Sequence, residues 1–130
     1  MTTTLLYGAE VSYFTGKVRA YLRWADIPFQ EITASAQVYK TVILPAVGVP
    51  VIPVLRTPDN GFLQDTTVII DTLDAQRQGK VPSVYPATAL RKLVALMLEA
   101  YGDEWLVIPA MHYRWHYDRD WAMREFGALN

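Results

Sequence analysis

Three short stretches of this 130-residue chain carry residue types that could bind and activate a small molecule. The first is Gly48-Val-Pro-Val-Ile-Pro-Val-Leu55, a β-forming run interrupted by Pro50 and Pro53. Proline removes a ladder donor, so it belongs at a strand start, an edge or a bulge. Placing Pro53 at the head of a short strand, Val54–Arg56, satisfies that rule and leaves Ile52 extended before it. A cis bond at this bend would turn the Ile52 backbone outward, where its N–H and C=O could pair with an extended peptide ligand. The second stretch is Asp65-Thr66-Thr67 ahead of Val68-Ile69-Ile70, a helix start with Asp65 or Thr66 as cap. Backbone N–H groups and the helix dipole at such a start favour a carboxylate. The third is Ser12-Tyr13-Phe14-Thr15, where Ser12 or Thr15 caps a further helix. An ordinary hairpin between ordinary helices would use the same residues, so the surrounding elements have to decide.

Those elements follow from the apolar spacing. Thr4-Leu-Leu-Tyr-Gly8 has the profile of a buried strand ending in glycine. Val18, Tyr21, Leu22 and Ala25 fall on one helical face, and Asp26-Ile27-Pro28 stops that helix. Phe29–Thr33 alternates as a half-exposed strand, and Ser35–Leu44 is expected to be a helix capped by Ser35, with Val38, Val42 and Ile43 inward. Thr57-Pro-Asp-Asn-Gly61 is turn chemistry, with Phe62-Leu63 returning as a strand into a helix over Thr66–Gln78. The order β-α-β-α-β-β-α is an α/β layered unit with a mixed sheet.

Composition narrows the function classes. A formal net charge of −1 with scattered Lys and Arg gives no basic face for nucleic acid. The absence of cysteine excludes a disulfide scaffold, a thiolate metal site and a cysteine nucleophile, and is compatible with a cytoplasmic protein. Met1–Tyr7 lacks the features of a signal peptide, and no apolar run approaches the roughly 20 residues needed to span a bilayer, so no membrane partner is expected. His112 and His116 stand four apart near Asp118 and Asp120, but lack a third ligand at a defined spacing, so no metal is expected.

Gln78–Pro86, with one glycine and two prolines, reads as a linker. From Thr88 the chain is helical, with Leu90, Leu93, Val94, Met97, Leu98 and Tyr101 on one stripe and Pro109 expected to interrupt or kink it. The tail from Trp105 to Phe126 is aromatic-rich, more suited to a core or interface than to a ligand box. One long helix and a fragment cannot close a helical domain, so an incomplete second domain is expected. The expected organisation is residues 1–78, a linker over 79–87, and helical residues 88–130. A stripe with no partner implies association, for which a symmetric homodimer is the economical closure.

Four motifs in this order resemble the glutathione S-transferase family. They are Leu6-Tyr7-Gly8, Ser12-Tyr-Phe-Thr-Gly-Lys-Val-Arg19, Ile52-Pro-Val-Leu55 and Leu63-Gln-Asp-Thr66. The resemblance covers residues 4–78 closely and Thr88–Phe126 loosely. It implies a thioredoxin-like domain followed by part of an all-helical domain. It further implies glutathione as co-substrate, its thiol activated for attack on an electrophilic small molecule. In that family the first helix opens with the residue facing the thiol, which here is Ser12, with Tyr13, Tyr7 and Thr15 as rivals. The cis-proline would be Pro53, with Pro50 in competition, and Ile52 would offer its backbone to the ligand. Asp65 and Thr66 replace the commoner Gln/Glu-Ser pair that holds the γ-glutamyl group; both keep acceptor chemistry. Ser12 and Thr15 stand where a redox Cys-x-x-Cys pair would be, which excludes thioredoxin-like redox work. The alternative is a non-catalytic interaction or assembly module on the same fold.

Overall fold

The computed structural model describes residues 3–77 and 81–127. They form two compact units, the first closing at Val81 and the second spanning Pro82–Gly127.

In the first unit, β1 (Thr4–Gly8) leads through α1 (Tyr13–Trp24) to β2 (Phe29–Thr33). A helical stretch follows: α2 (Ala36–Val38), a π-helical turn (Tyr39–Ile43) and α3 (Leu44–Val47). The hairpin β3 (Val54–Arg56) and β4 (Phe62–Gln64) then delivers the chain to α4 (Thr66–Gln76). The four strands stand in the order β2-β1-β3-β4, with β1 parallel to β2 and antiparallel to β3, and β3 antiparallel to β4. This is the mixed sheet expected of a thioredoxin-like β-α-β-α-β-β-α unit.

Strand alternation separates two cores, because successive side chains leave opposite faces. Leu6 and Leu55 pack with Val18, Leu22 and Ile69, which come from α1 and α4. Tyr7 and Val54 pack on the other face with Ala34 and Ile43, joined by Val38, Val42 and Val47 of the helical stretch after Ser35. Each Val, Leu or Ile side chain among them that is removed from water contributes roughly 1.5–3 kcal/mol before entropic costs.

The register decides what meets where. Tyr7 lies opposite Val54, and Val54 lies opposite Gln64. The end of β1, the start of β3 and the end of β4 therefore share one end of the sheet. The hairpin turn at Thr57–Gly61 and the start of β1 lie at the other.

Three helical expectations need correction. The helix after Ser35 runs beyond Leu44 to Val47, closing on Gly48 at φ 78°, and it carries a π turn. The second unit stays helical through Pro109, and the α-helix is interrupted ahead of it rather than at it. There α5 (Ala89–Ala100) passes through a π turn (Tyr101–Leu106) into α6 (Val107–Tyr117), with Pro109 in the first turn of α6. Each π turn lies just ahead of a proline, Pro45 or Pro109. A helical proline offers no N–H and its ring crowds the carbonyl four residues back. Those carbonyls belong to Thr41 and Trp105, inside the widened turns. The distortion is absorbed before the proline. The tail after Tyr117 is α7 (Arg119–Gly127). The helix expected over Thr66–Gln78 ends at Gln76; Gln78 and the linker residues Gly79 and Lys80 lie outside the described residues.

In the second unit the apolar stripe is largely uncovered. Leu90 is 72% exposed, Leu98 65% and Trp105 66%.

Candidate functional site

Ser12 caps α1. Its backbone is extended at φ −75°, ψ 124°, and its Oγ accepts the Thr15 N–H at 3.2 Å. An oxygen that accepts a backbone proton keeps its own proton to donate, so Ser12 can hydrogen-bond an anion held at the α1 N-terminus. The approach is a tight loop. Ser12 N–H donates to the Ala9 carbonyl at 3.1 Å, and Ala9 N–H donates to Thr15 Oγ1 at 3.4 Å.

The other three hydroxyls differ from Ser12 in setting. Thr15 is fully buried, with its Oγ1 engaged by Ala9. Tyr7 is 6% exposed, within the second core, its ring stacked on Phe62 at 6.5 Å. Tyr13 is half-buried in the first turn of α1, its ring edge-on to Phe14.

At the head of β3 the Ile52–Pro53 bond is cis, and among the described residues no other peptide bond is. Pro50 is excluded as the cis-proline. The ladder between β1 and β3 begins at Val54, so Ile52 stands just outside it with its side chain packed on the second core.

At the end of β4, Asp65 is the cap of α4 and Thr66 its first residue. Asp65 Oδ1 accepts both Thr67 N–H at 2.9 Å and Val68 N–H at 3.2 Å. Its backbone sits at φ 76°, ψ 130°, a region that side-chain-bearing residues seldom occupy. Asp65 is exposed while Thr66 is buried. All three stretches singled out in the sequence thus meet at one end of the sheet.

That end also holds an ion pair to which sequence reasoning assigned no role. Arg19 of α1 grips Glu31 of β2 through Nε at 2.7 Å and Nη2 at 2.6 Å, and Nη2 also donates to the Ala9 carbonyl at 3.3 Å. The hydrogen bond to Glu31 holds the guanidinium above its ordinary pKa. The sequence signal was faint: a basic residue beside the buried α1 stripe, and an acidic one in an otherwise half-apolar strand.

A family model for the glutathione S-transferase N-terminal domain matches residues 6–81, more than half of the chain. The chain belongs to the glutathione S-transferase family. No curated protein sequence matches it significantly. Among solved structures it is similar to a glutathione S-transferase from Methylobacillus flagellatus with glutathione bound, at 24% identity and TM-score 0.67, covering 78% of this chain and 49% of that one. It is similar to the tau-class enzyme of mango, Mangifera indica, at 22% identity and TM-score 0.69, covering 79% and 46%. A glutathione transferase homologue from Sulfitobacter with bound glutathione aligns at 16% identity and TM-score 0.69, covering 92% and 57%. At these identities the likeness establishes the glutathione S-transferase fold, and the chain spans about half the length of these structures.

Open concavities occur elsewhere on this glutathione S-transferase domain. One of about 420 Å³ is lined by Thr4, Ile27, Pro58 and Leu73 at the opposite end of the sheet. It lies a sheet's length from Ser12 and Asp65. Among the described residues no three His, Cys, Asp or Glu side chains converge as a metal would need. His112 and His116 stack on each other at 5.1 Å. Among the described residues no helix is long and apolar enough to cross a membrane.

Proposed function

We propose that the chain binds glutathione at this end of the sheet and activates its thiol for attack on an electrophilic small molecule. The observation that carries the reading is the register that sets Tyr7 opposite Val54 and Val54 opposite Gln64. It gathers a hydroxyl donor at a helix start, a backbone edge and a carboxylate cap from three distant segments. In this reading Ile52 pairs its backbone with the cysteinyl unit, next to cis Pro53. The Asp65 carboxylate takes the ammonium group of the γ-glutamyl unit, and the α4 start at Thr66 takes its carboxylate.

The thiolate, not the thiol, is the nucleophile, and a free thiol is mostly protonated at neutral pH. Ser12 lowers that pKa by donating a hydrogen bond from its hydroxyl to the thiolate within the field of α1. The sulfur then bonds to the electrophilic carbon, and the leaving group departs with its electron pair. Tyr13 is the rival donor; Tyr7 and Thr15 are set back by their burial. The bound glutathione of the Methylobacillus and Sulfitobacter structures supports the ligand. Ser12→Ala should cut glutathione-dependent turnover of a standard electrophile by about 10²-fold while changing glutathione affinity little. Unchanged turnover in that variant would remove Ser12 from the reaction.

We further infer that the protein works in the cytoplasm as a homodimer. Burying even four side chains of the Leu90–Tyr101 stripe contributes roughly 6–12 kcal/mol before entropic costs. Sedimentation at micromolar concentration should give a dimer; a compact monomer counts against it. The same stripe favours a second reading, an assembly module without turnover. Calorimetry separates the two, since saturable glutathione binding lost in Asp65→Ala supports the enzyme and no binding at millimolar ligand supports the module.

A further inference from the structure

We propose that Arg19 is a positioning residue for Ser12, holding in place the loop carbonyl from which the Ser12 backbone hangs. The proposal deepens the reading above and rests on it for its link to the thiol.

The Arg19 side chain is 11% exposed, and its planar fork is matched edge to edge by the Glu31 carboxylate. A surface pair of mobile side chains fixes little, but a bidentate pair largely out of water has one geometry. Glu31 lies in the edge strand β2, opposite Leu6 of the inner strand β1, so the fork is referenced to the ladder between them. From there Nη2 reaches the Ala9 carbonyl at 3.3 Å. The same oxygen accepts the Ser12 N–H at 3.1 Å. Thr15 completes the circuit, taking the Ala9 N–H on Oγ1 and giving its own N–H to Ser12 Oγ. Ser12 is therefore tied at its backbone through Arg19 and at its side chain through Thr15.

The charge of Arg19 is a poor candidate for stabilising a thiolate directly. Glu31 neutralises it at 2.6 Å, and the exposed Glu10 lies 3.7 Å away. What remains is direction: two donors for Glu31 and one for the loop. Lysine keeps the charge but is a point donor, and cannot hold the fork and the carbonyl together.

The test compares Arg19→Lys and Arg19→Met with the unsubstituted full chain by amide hydrogen exchange and by the ultraviolet band of bound glutathione thiolate. Exchange at Ser12 and Thr15 should accelerate about tenfold or more in both variants, while Leu6 and Leu55 change by less than about threefold. The ratio of thiolate to thiol in bound glutathione should fall about tenfold, equivalent to one pKa unit, with the glutathione Kd within about threefold. Unchanged exchange at Ser12 and Thr15, or equal acceleration at Leu6 and Leu55, overturns the proposal by reducing the pair to general stability. Full recovery in Arg19→Lys overturns it in favour of charge. If the unsubstituted chain binds no glutathione, the functional reading fails, and the exchange pattern still decides whether Arg19 fixes the loop.

Discussion

A methyl group on Gly8 would overlap Cγ2 of Thr15 and sit 2.6 Å from its Oγ1. Gly8 ends β1 without a side chain because the first turn of α1 is pressed against it, and that closeness lets Ala9 N–H reach Thr15. Both residues are buried, so neither can swing aside into solvent. Gly8→Ala should cost about 1–3 kcal/mol, the usual range for overpacking a tight core. Thr15→Ala removes both obstructing atoms, so the double variant should be more stable than the sum of the single losses predicts by about 1 kcal/mol. Urea unfolding of the four proteins measures this coupling, and strict additivity would mean that the contact does not carry the cost. At this scale the sequence was half legible. Ser12, Asp65 and Pro53 could be picked out because caps and prolines announce their own geometry. Thr15's place against Gly8, and Arg19's grip on Glu31, each join α1 to a neighbouring strand, and apolar spacing names neither partner.

Both π turns stand directly before a proline, so the helical rods of the two units share one device for carrying it. Pro45→Ala restores a backbone donor and removes the ring that crowds Thr41, at the expense of a freer unfolded chain. The first gain exceeds the second, since proline is about 3 kcal/mol worse than alanine inside a helix while its unfolded-state benefit is about 0.4–1 kcal/mol. With part of the strain already absorbed by the turn, a net stabilisation of about 1 kcal/mol is expected from chemical denaturation. A loss of stability would show that the widened turn is required by packing, for instance at buried Ile43. Apolar spacing located α1, β3 and the start of α4 closely, because Val18 and Leu22 face one core while Val54 and Leu55 alternate between the two. It misplaced the end of the helix after Ser35 and put the disturbance in the second unit at Pro109. Hydrophobic spacing reports which face is inward, and says little about how a turn widens to accept a ring.

At the scale of the molecule, β1 pairs with β3 across the whole of α1, β2 and the helical stretch after Ser35. Such pairing closes a long loop before any contact repays it, which makes it a late and slow event in folding. Ser12, Ile52 and Asp65 become neighbours only once that loop has closed. A ligand spanning all three lacks part of its site in the unfolded chain and in a collapsed one where β1 and β3 are unpaired, even with the β3–β4 hairpin formed. Glutathione should therefore leave the refolding rate unchanged and slow unfolding by a factor approaching 1 + [L]/Kd, about a hundredfold at a hundred times Kd. Stopped-flow refolding and unfolding with and without ligand reads both limbs, and faster refolding would mean that the three segments meet early. On the proposed function this site is a clock hand as well as a binding surface: it would be filled only after β1 and β3 have paired, and while filled it would hold that pairing shut.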